Sequence, residues 1–176
     1  MKKIIVFAGS NSKNSINHQL AVYASTLVKN VEAKVLDLND FEMPMYSIDR
    51  EQETGIHPLA ESFMNEIRNS DGIIISLAEY NGAYSSAFKN IFDWISRVEQ
   101  KTFLGKPMLL MATSPGGRGG LSVLEIAQGR FPFHDAKISG VFSLPFFQNN
   151  FSDGKITEES FNQKLKSEVE KFSNDL

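Results

Sequence analysis

Residues Asp71–Trp94 read DGIIISLAEYNGAYSSAFKNIFDW. The first third is a continuous apolar run built on three isoleucines, with no polar alternation. That is how a strand buried on both faces of a parallel sheet reads. Asn81-Gly82 then supplies a dipeptide suited to a sharp turn with positive φ. Behind it Phe88, Ile91, Phe92 and Ile95 recur at helical spacing and predict a helix from about Ser85 to Val98. A strand, a short polar loop and a helix make one βα unit.

Similar units lie on both sides of it. Upstream, Ile4–Ala8 is a short β-branched apolar run, and Leu20, Ala21, Ala24, Leu27 and Val28 mark a helix from about Ser15 to Asn30. Lys34–Leu38 reads as a second, weaker strand. Asn39–His57 has Pro44, Gly55 and little period, and reads as a long loop of the kind that is usually functional. Pro58 suits the first turn of a helix carrying Leu59, Phe63 and Ile67. Downstream, KPMLLMATS is a strand opening on Pro107, followed by a glycine-rich turn, a helix over Leu121–Arg130 and a fifth strand over Lys137–Phe142. A final amphipathic helix starts near Thr157, with Phe161, Leu165, Val169 and Phe172 on one face. TEES offers it half a capping box. Strands alternating with helices in this way predict an α/β fold: a parallel sheet with helices on both faces, in a single domain spanning residues 1–176.

Composition narrows what such a domain does. Net charge is −3 and the pI about 5.6, so no basic surface points to nucleic acid or to an anionic membrane as partner. Cysteine is absent, which excludes disulfides, thiolate nucleophiles and iron–sulfur clusters. His18, His57 and His134 are scattered, so no metal site is expected. Met1-Lys2-Lys3 leads into an apolar run too short for a secretory signal, and none reaches the roughly 18 residues of a membrane span. A cytoplasmic protein is expected.

In an open α/β sheet, ligands bind beyond the carboxyl ends of the strands. Three loops fall there. Gly9–Ser15 leads straight into a helix, where free N–H groups and the positive end of the helix dipole favour an anion. Its hydroxyls and amides suit a phosphate. It has neither the GK[ST] of a magnesium-nucleotide loop nor the second and third glycines of GxGxxG. Ala78–Ser85 places Tyr80 and Tyr84 beside a tight turn, an arrangement able to hold a flat heterocycle. Thr113–Gly120 contains TSPGGRGG, where missing side chains let backbone approach a ligand closely. Read singly, each loop also fits an ordinary turn or helix start.

Read together, the three carry a resemblance. The chain resembles the NAD(P)H-dependent FMN reductase family of flavodoxin-like flavoproteins. Gly9, Ser10, Ser15 and Asn17 match that family's G-S-x-x-x-x-S-x-N loop. AEYNGAYSSAFKNIFDW is similar to its P-E-Y-N-G-S and L-K-N-A-I-D-W signature, and SPGGRGG to its S-P-G-x-x-G-G. The likeness covers nearly the whole chain. Departures stand at Ser12, where the family often has arginine, at Ala78 and Ser85, where it often has proline, and at Ala83, where serine is common.

The resemblance implies a flavodoxin-like three-layer sandwich with a five-stranded sheet in the order 2-1-3-4-5, and FMN as cofactor. Ser10, Ser12, Ser15, Ile16 and Asn17 would hold the FMN phosphate. Glu79, Tyr80, Asn81 and Gly82 would run along the isoalloxazine and ribityl edge, and Ser114, Pro115, Gly116, Gly117 and Arg118 would border its other side. The implied activity takes a hydride from NAD(P)H and reduces free flavin, a quinone, an azo compound or a similar small-molecule acceptor by a ping-pong mechanism. The flavin carries the hydride, so no catalytic side chain is expected. Arg118 is a candidate for the nucleotide's phosphates, with a plain surface role as the alternative. A flavodoxin-type electron carrier without NAD(P)H oxidation is the alternative for the whole chain. A homodimer or homotetramer is also implied. Trp94, Phe146, Phe147 and Phe151 are each open to two readings, core or subunit interface.

Overall fold

The computed structural model describes residues 1–176. The chain runs β1 (Lys2–Gly9), α1 (Ile16–Thr26), β2 (Val31–Leu36), α2 (Ile48–Thr54), α3 (Pro58–Arg68), β3 (Gly72–Leu77), a miniature hairpin of β4 (Glu79–Tyr80) and β5 (Ala83–Tyr84), then α4 (Ser86–Val98) and β6 (Pro107–Thr113). It continues through α5 (Leu121–Arg130), β7 (Lys137–Leu144), α6 (Phe147–Asn150), the short pair β8 (Phe151–Ser152) and β9 (Lys155–Ile156), and α7 (Glu159–Asp175). Five strands form one sheet in the order β2-β1-β3-β6-β7, every neighbour pair parallel. Numbered among themselves they run 2-1-3-4-5, the flavodoxin-like order.

Burial explains why the central strands show no alternation. Along β1, Ile4 and Val6 face a core shared with α1 and α7, while Ile5 and Phe7 face a second core shared with α3, α4 and α5. β3 divides in the same way, with Ile74 on the first face and Ile73 and Ile75 on the second. Both faces are covered, so the central stretches are almost wholly apolar, and the one polar side chain of β3, Ser76, is buried with its hydroxyl bonded to Asn17. The order reverses between β1 and β3, and the ends Gly9, Leu77 and Thr113 come side by side at that switch point.

Four expectations are corrected. Strand β2 spans Val31–Leu36 rather than Lys34–Leu38, because Leu38–Phe41 coils into a 3-10 turn capped by Asp37. α1 ends at Thr26, short of the expected Asn30, which stands in a left-handed conformation with φ 59°. The segment expected to be loop contains α2, which buries none of its own residues and starts on Ser47, whose Oγ accepts from the Arg50 N–H at 3.1 Å. α7 is capped by Glu158 rather than Thr157: the carboxylate accepts from the Phe161 N–H at 2.9 Å.

α4 holds the segment from Met43 to Glu51 in place. Asn90 Nδ2 donates to the Met43 carbonyl at 2.9 Å and Asn90 Oδ1 accepts from the Tyr46 N–H at 2.8 Å. Trp94 Nε1 donates to the Pro44 carbonyl at 2.8 Å, and Arg97 Nε donates to Glu51 at 2.9 Å. Asn90, Trp94 and Arg97 stand at helical spacing on one face. Trp94 is thus a core residue, 1% exposed. Phe147 and Phe151 are also buried and stack at 4.6 Å, leaving Phe146 half-exposed.

Candidate functional site

β1 ends at Gly9, where space is tight: a Cβ there would stand 2.8 Å from Leu77 Cδ2, which would have to shift. The hydroxyls that follow shape the loop by accepting its own N–H groups. Ser10 Oγ takes the N–H of Ser12 at 3.1 Å, Ser12 Oγ that of Asn14 at 3.3 Å, and Ser15 Oγ that of His18 at 3.1 Å, capping α1. All three serines act only as acceptors within the chain, so each keeps an O–H to donate. The N–H groups of Asn11, Lys13, Ile16 and Asn17 have no acceptor in the protein. A nest of neutral donors at the positive end of a helix is suited to an anion.

The Asn17 side chain is used inward. Its Oδ1 accepts from the Thr113 N–H at 3.0 Å and from Ser76 Oγ at 2.7 Å, and its Nδ2 donates to the Thr113 carbonyl at 3.2 Å. The buried amide therefore ties α1 to β3 and β6, leaving one Nδ2–H and the backbone N–H of Asn17 without an acceptor in the chain.

In the second loop, β4 and β5 pair antiparallel around Asn81 and Gly82, whose φ values of 52° and 76° are those of a primed two-residue turn. Ser85 Oγ donates to the Gly9 carbonyl at 2.8 Å and accepts from the Phe88 N–H at 3.1 Å, so one residue starts α4 and fastens it to the first loop. Glu79 reaches the other way. Its carboxylate accepts from the Val123 N–H at 3.0 Å, in the first turn of α5, which Gly120 leaves without a side-chain cap. Tyr80 is 56% exposed. Tyr84 lies parallel to Phe131 with its hydroxyl buried and unpartnered, and burial pushes the phenol up to about 12.

The third loop is stapled to the segment after β7. Phe146 N–H donates to the Gly116 carbonyl at 3.0 Å and Phe147 N–H to the Ser114 carbonyl at 3.1 Å. The Phe146 ring covers Gly117, where a Cβ would meet it at 2.8 Å. Gly119, at φ 57°, leaves no room for a side chain: a Cβ would stand 2.4 Å from Ser143 Oγ. Arg118 is exposed, donates to Ser122 Oγ at 3.1 Å and meets no carboxylate.

Together the loops enclose a cleft of about 250 Å³ that brings in Ser10, Ser12, Ser15, Ile16, Asn17, Glu79, Tyr80, Ser114 and Pro115. Asn81 lines an adjoining hollow of about 400 Å³ with Asn11, Tyr84, Ser85 and Ser86, and Tyr80 stands between the two. Gly82, Gly116, Gly117 and Arg118 lie outside both linings. Sequence reasoning missed Asn14, Ala78 and Thr113 as walls of the cleft. Their place beside the strand ends was the available signal. No group of three or more carboxylate or imidazole side chains stands where it could hold a metal ion.

A family model described as NADPH-dependent FMN reductase matches residues 2–146. The chain belongs to that family. A quinone reductase of Escherichia coli K12 is 33% identical over 162 residues, covering 90% of this chain and 82% of the relative. An NADPH azoreductase of Bacillus sp. OY1-2 is 29% identical over 123 residues, covering 70% of this chain and 65% of the relative. Among solved structures, the flavoenzyme NAD(P)H:(acceptor) oxidoreductase of Paracoccus denitrificans superposes with a TM-score of 0.78 at 24% identity, covering 99% of this chain and 97% of that one. The match places the nest, the hairpin and the glycine loop of this FMN reductase family member inside the matched region. The donor set also fits FMN. Its phosphate is an anion, which hydroxyls, N–H groups and a helix dipole can hold.

Proposed function

We propose that this chain oxidises NAD(P)H and passes the electrons by way of FMN to a small-molecule acceptor of the quinone, azo or free-flavin class, in two half-reactions of ping-pong form. The observation that carries the reading is the three-loop cleft, whose neutral anion nest lies beside a tight hairpin with an exposed tyrosine. Bound FMN supplies the redox chemistry, accepting a hydride and passing electrons on.

The protein's own part is positional. The hydroxyls of Ser10, Ser12 and Ser15 and the N–H groups of Ile16 and Asn17 would hold the phosphate. Glu79, Tyr80, Asn81 and Gly82 would follow the ring and ribityl edge, with Ser114–Gly117 on the far side. None of these residues is asked to transfer a proton. Arg118, exposed and free of carboxylates, is placed to meet the nucleotide's phosphates as it arrives from solvent. A homodimer or homotetramer is supported by large apolar side chains left exposed: Leu121 and Ile126 on α5, then Phe133. Sedimentation equilibrium checks that part.

The activity is tested on freshly purified protein loaded with FMN. Anaerobic NADPH or NADH should bleach the bound flavin within the turnover time, and initial rates at several acceptor concentrations should give parallel double-reciprocal lines. A flavin indifferent to both nucleotides overturns the reading.

A further inference from the structure

We propose that Asn81 is a spontaneous modification site, where the flavin-free chain converts its side-chain amide to aspartate and isoaspartate and so loses the hairpin edge that FMN needs. The conversion follows from the loop itself; its link to FMN rests on the reductase reading above.

A free nucleophile is the first argument. Asn81 is the only asparagine in the chain that glycine follows. The Gly82 N–H has no acceptor in the protein. Glycine carries no side chain to shield its own nitrogen, and the space around Gly82 is open: a Cβ there would meet nothing nearer than Ser122 Cβ at 4.0 Å.

The electrophile is free as well. Asn81 is exposed, and its amide makes no hydrogen bond within the chain, whereas those of Asn17, Asn39 and Asn90 are held. Asn69 provides the contrast. It too is exposed with an unbonded amide, but the N–H that follows it, on Ser70, donates to the Ile67 carbonyl at 3.1 Å.

The hairpin lets the two atoms meet. Its ladder has only the pairs Glu79 with Tyr84 and Tyr80 with Ala83. The flanks are pinned, Glu79 to the Val123 N–H and Ser85 to the Gly9 carbonyl, so the tip is the part left to move. The Gly82 nitrogen gives its proton to water and attacks Asn81 Cγ. A C–N bond forms, the Cγ–Nδ2 bond breaks, and the amide nitrogen takes a proton back and leaves as ammonia. Water then opens the cyclic imide. Opening at Cγ gives aspartate; opening at the backbone carbonyl carbon gives isoaspartate, with the main chain rerouted through Cγ. Nothing is oxidised or reduced, and water is the only co-reactant.

Isoaspartate puts an extra carbon into a turn whose length sets the register of the strands it joins. Glu79 and Tyr80 then leave their places. FMN seated along this edge would engage the Gly82 N–H and hold the tip still. Loaded chains are therefore protected, and a chain that stands empty and ages does not take the cofactor back.

Trypsin releases both exposed asparagines in one peptide, Asn69–Lys89. Protein stripped of FMN is aged at mildly alkaline pH beside a portion loaded with FMN, and this peptide is mapped by mass spectrometry with fragmentation that separates aspartate from isoaspartate. In the stripped sample Asn81 should gain the amide-to-acid mass about tenfold faster than Asn69, reflecting its glycine neighbour. The loaded sample should lag severalfold. Asn81 ageing no faster than Asn69 overturns the site. Equal ageing with and without FMN, in protein that binds FMN by fluorescence titration, overturns the protection. FMN affinity of the aged, stripped protein should fall in proportion to the modified fraction, while Asn81→Gln keeps after ageing whatever affinity it had when fresh. Equal loss in both would assign the decline to something other than Asn81. The mapping uses the parent chain, so it decides the site even if Asn81→Gln does not fold. Failure of the reductase reading looks different: fresh protein that never binds FMN, yet is modified at Asn81 on ageing.

Discussion

The Glu79 carboxylate accepts the Val123 N–H at 3.0 Å, joining the hairpin after β3 to the helix after β6. α5 starts on Gly120, in the left-handed conformation and without a side-chain cap, so a residue 44 positions earlier supplies the missing acceptor. The hairpin and the glycine loop are thereby held as a pair. Glu79→Ala should cost about 1 kcal/mol, the usual loss for a helix cap, and weaken FMN binding severalfold as the two walls part. Glu79→Gln keeps an acceptor oxygen and should retain most of both. Urea unfolding and a flavin-fluorescence titration of the two variants check this.

Asn17 offers a sharper contrast. Replacing it with alanine strips partners from the Thr113 N–H, the Thr113 carbonyl and the Ser76 hydroxyl, all in a buried setting. Each stranded buried group costs about 1–3 kcal/mol, so Asn17→Ala should lose about 3 kcal/mol or more. Ser76→Ala leaves Asn17 Oδ1 still accepting from Thr113 and should lose only about 1 kcal/mol. Equal urea midpoints for the two variants would contradict this account of the tie.

Much of this site could be read from the chain because its signals are local. Ser15 and Ser85 cap the helices they precede, Asn81-Gly82 makes the turn its residue types demand, and Pro58 opens α3. The central strands were legible for a similar reason, since burial on both faces leaves them almost wholly apolar, with Ser76 and Thr113 the polar residues near their ends. What escaped depends on distant partners. α2 has no apolar face, because Ser47 caps it and the polar bonds from Tyr46 and Arg97 to Glu51 hold it. No periodicity marks a helix held that way. Asn17 fits the phosphate motif by position, yet its amide turns inward, a direction set by Ser76 and Thr113 and invisible in spacing. Trp94 stays open between core and subunit interface until the Pro44 carbonyl that receives its N–H is known.

Tyr84 gives a pH prediction. Burial raises its phenol from 10 to about 12, partly offset by the nearby Arg130. A raised folded-state value means the unfolded chain ionises first as pH rises. The contribution is thus fully present below pH 10 and is lost between about 10 and 12, amounting to about 3 kcal/mol. The hydroxyl also has no partner. Tyr84→Phe should therefore be neutral or more stable by about 1 kcal/mol at pH 7, and its advantage over the parent should widen above pH 10. Paired urea titrations at pH 7 and pH 10.5 measure the difference; an advantage that shrinks with alkali would contradict it.

Arg118 is the last residue whose role divides two readings. It lies outside the cleft lining, and its one bond within the chain goes from the guanidinium to Ser122 Oγ at 3.1 Å. With no carboxylate to neutralise it, the charge is available to an anion crossing the mouth of the site. Exposed charges act on such an anion through a field that salt screens within about 8–10 Å. Arg118→Ala should therefore raise the KM for NADPH about tenfold, equivalent to about 1.4 kcal/mol of binding. FMN affinity should stay within twofold, because the nest is built from other residues. The deficit should shrink as ionic strength rises, since salt weakens the parent more than the variant. Ser122→Ala removes the same hydrogen bond but keeps the charge, and should leave the KM near that of the parent. A KM lost equally in both variants would assign Arg118 to holding the loop rather than to meeting the nucleotide.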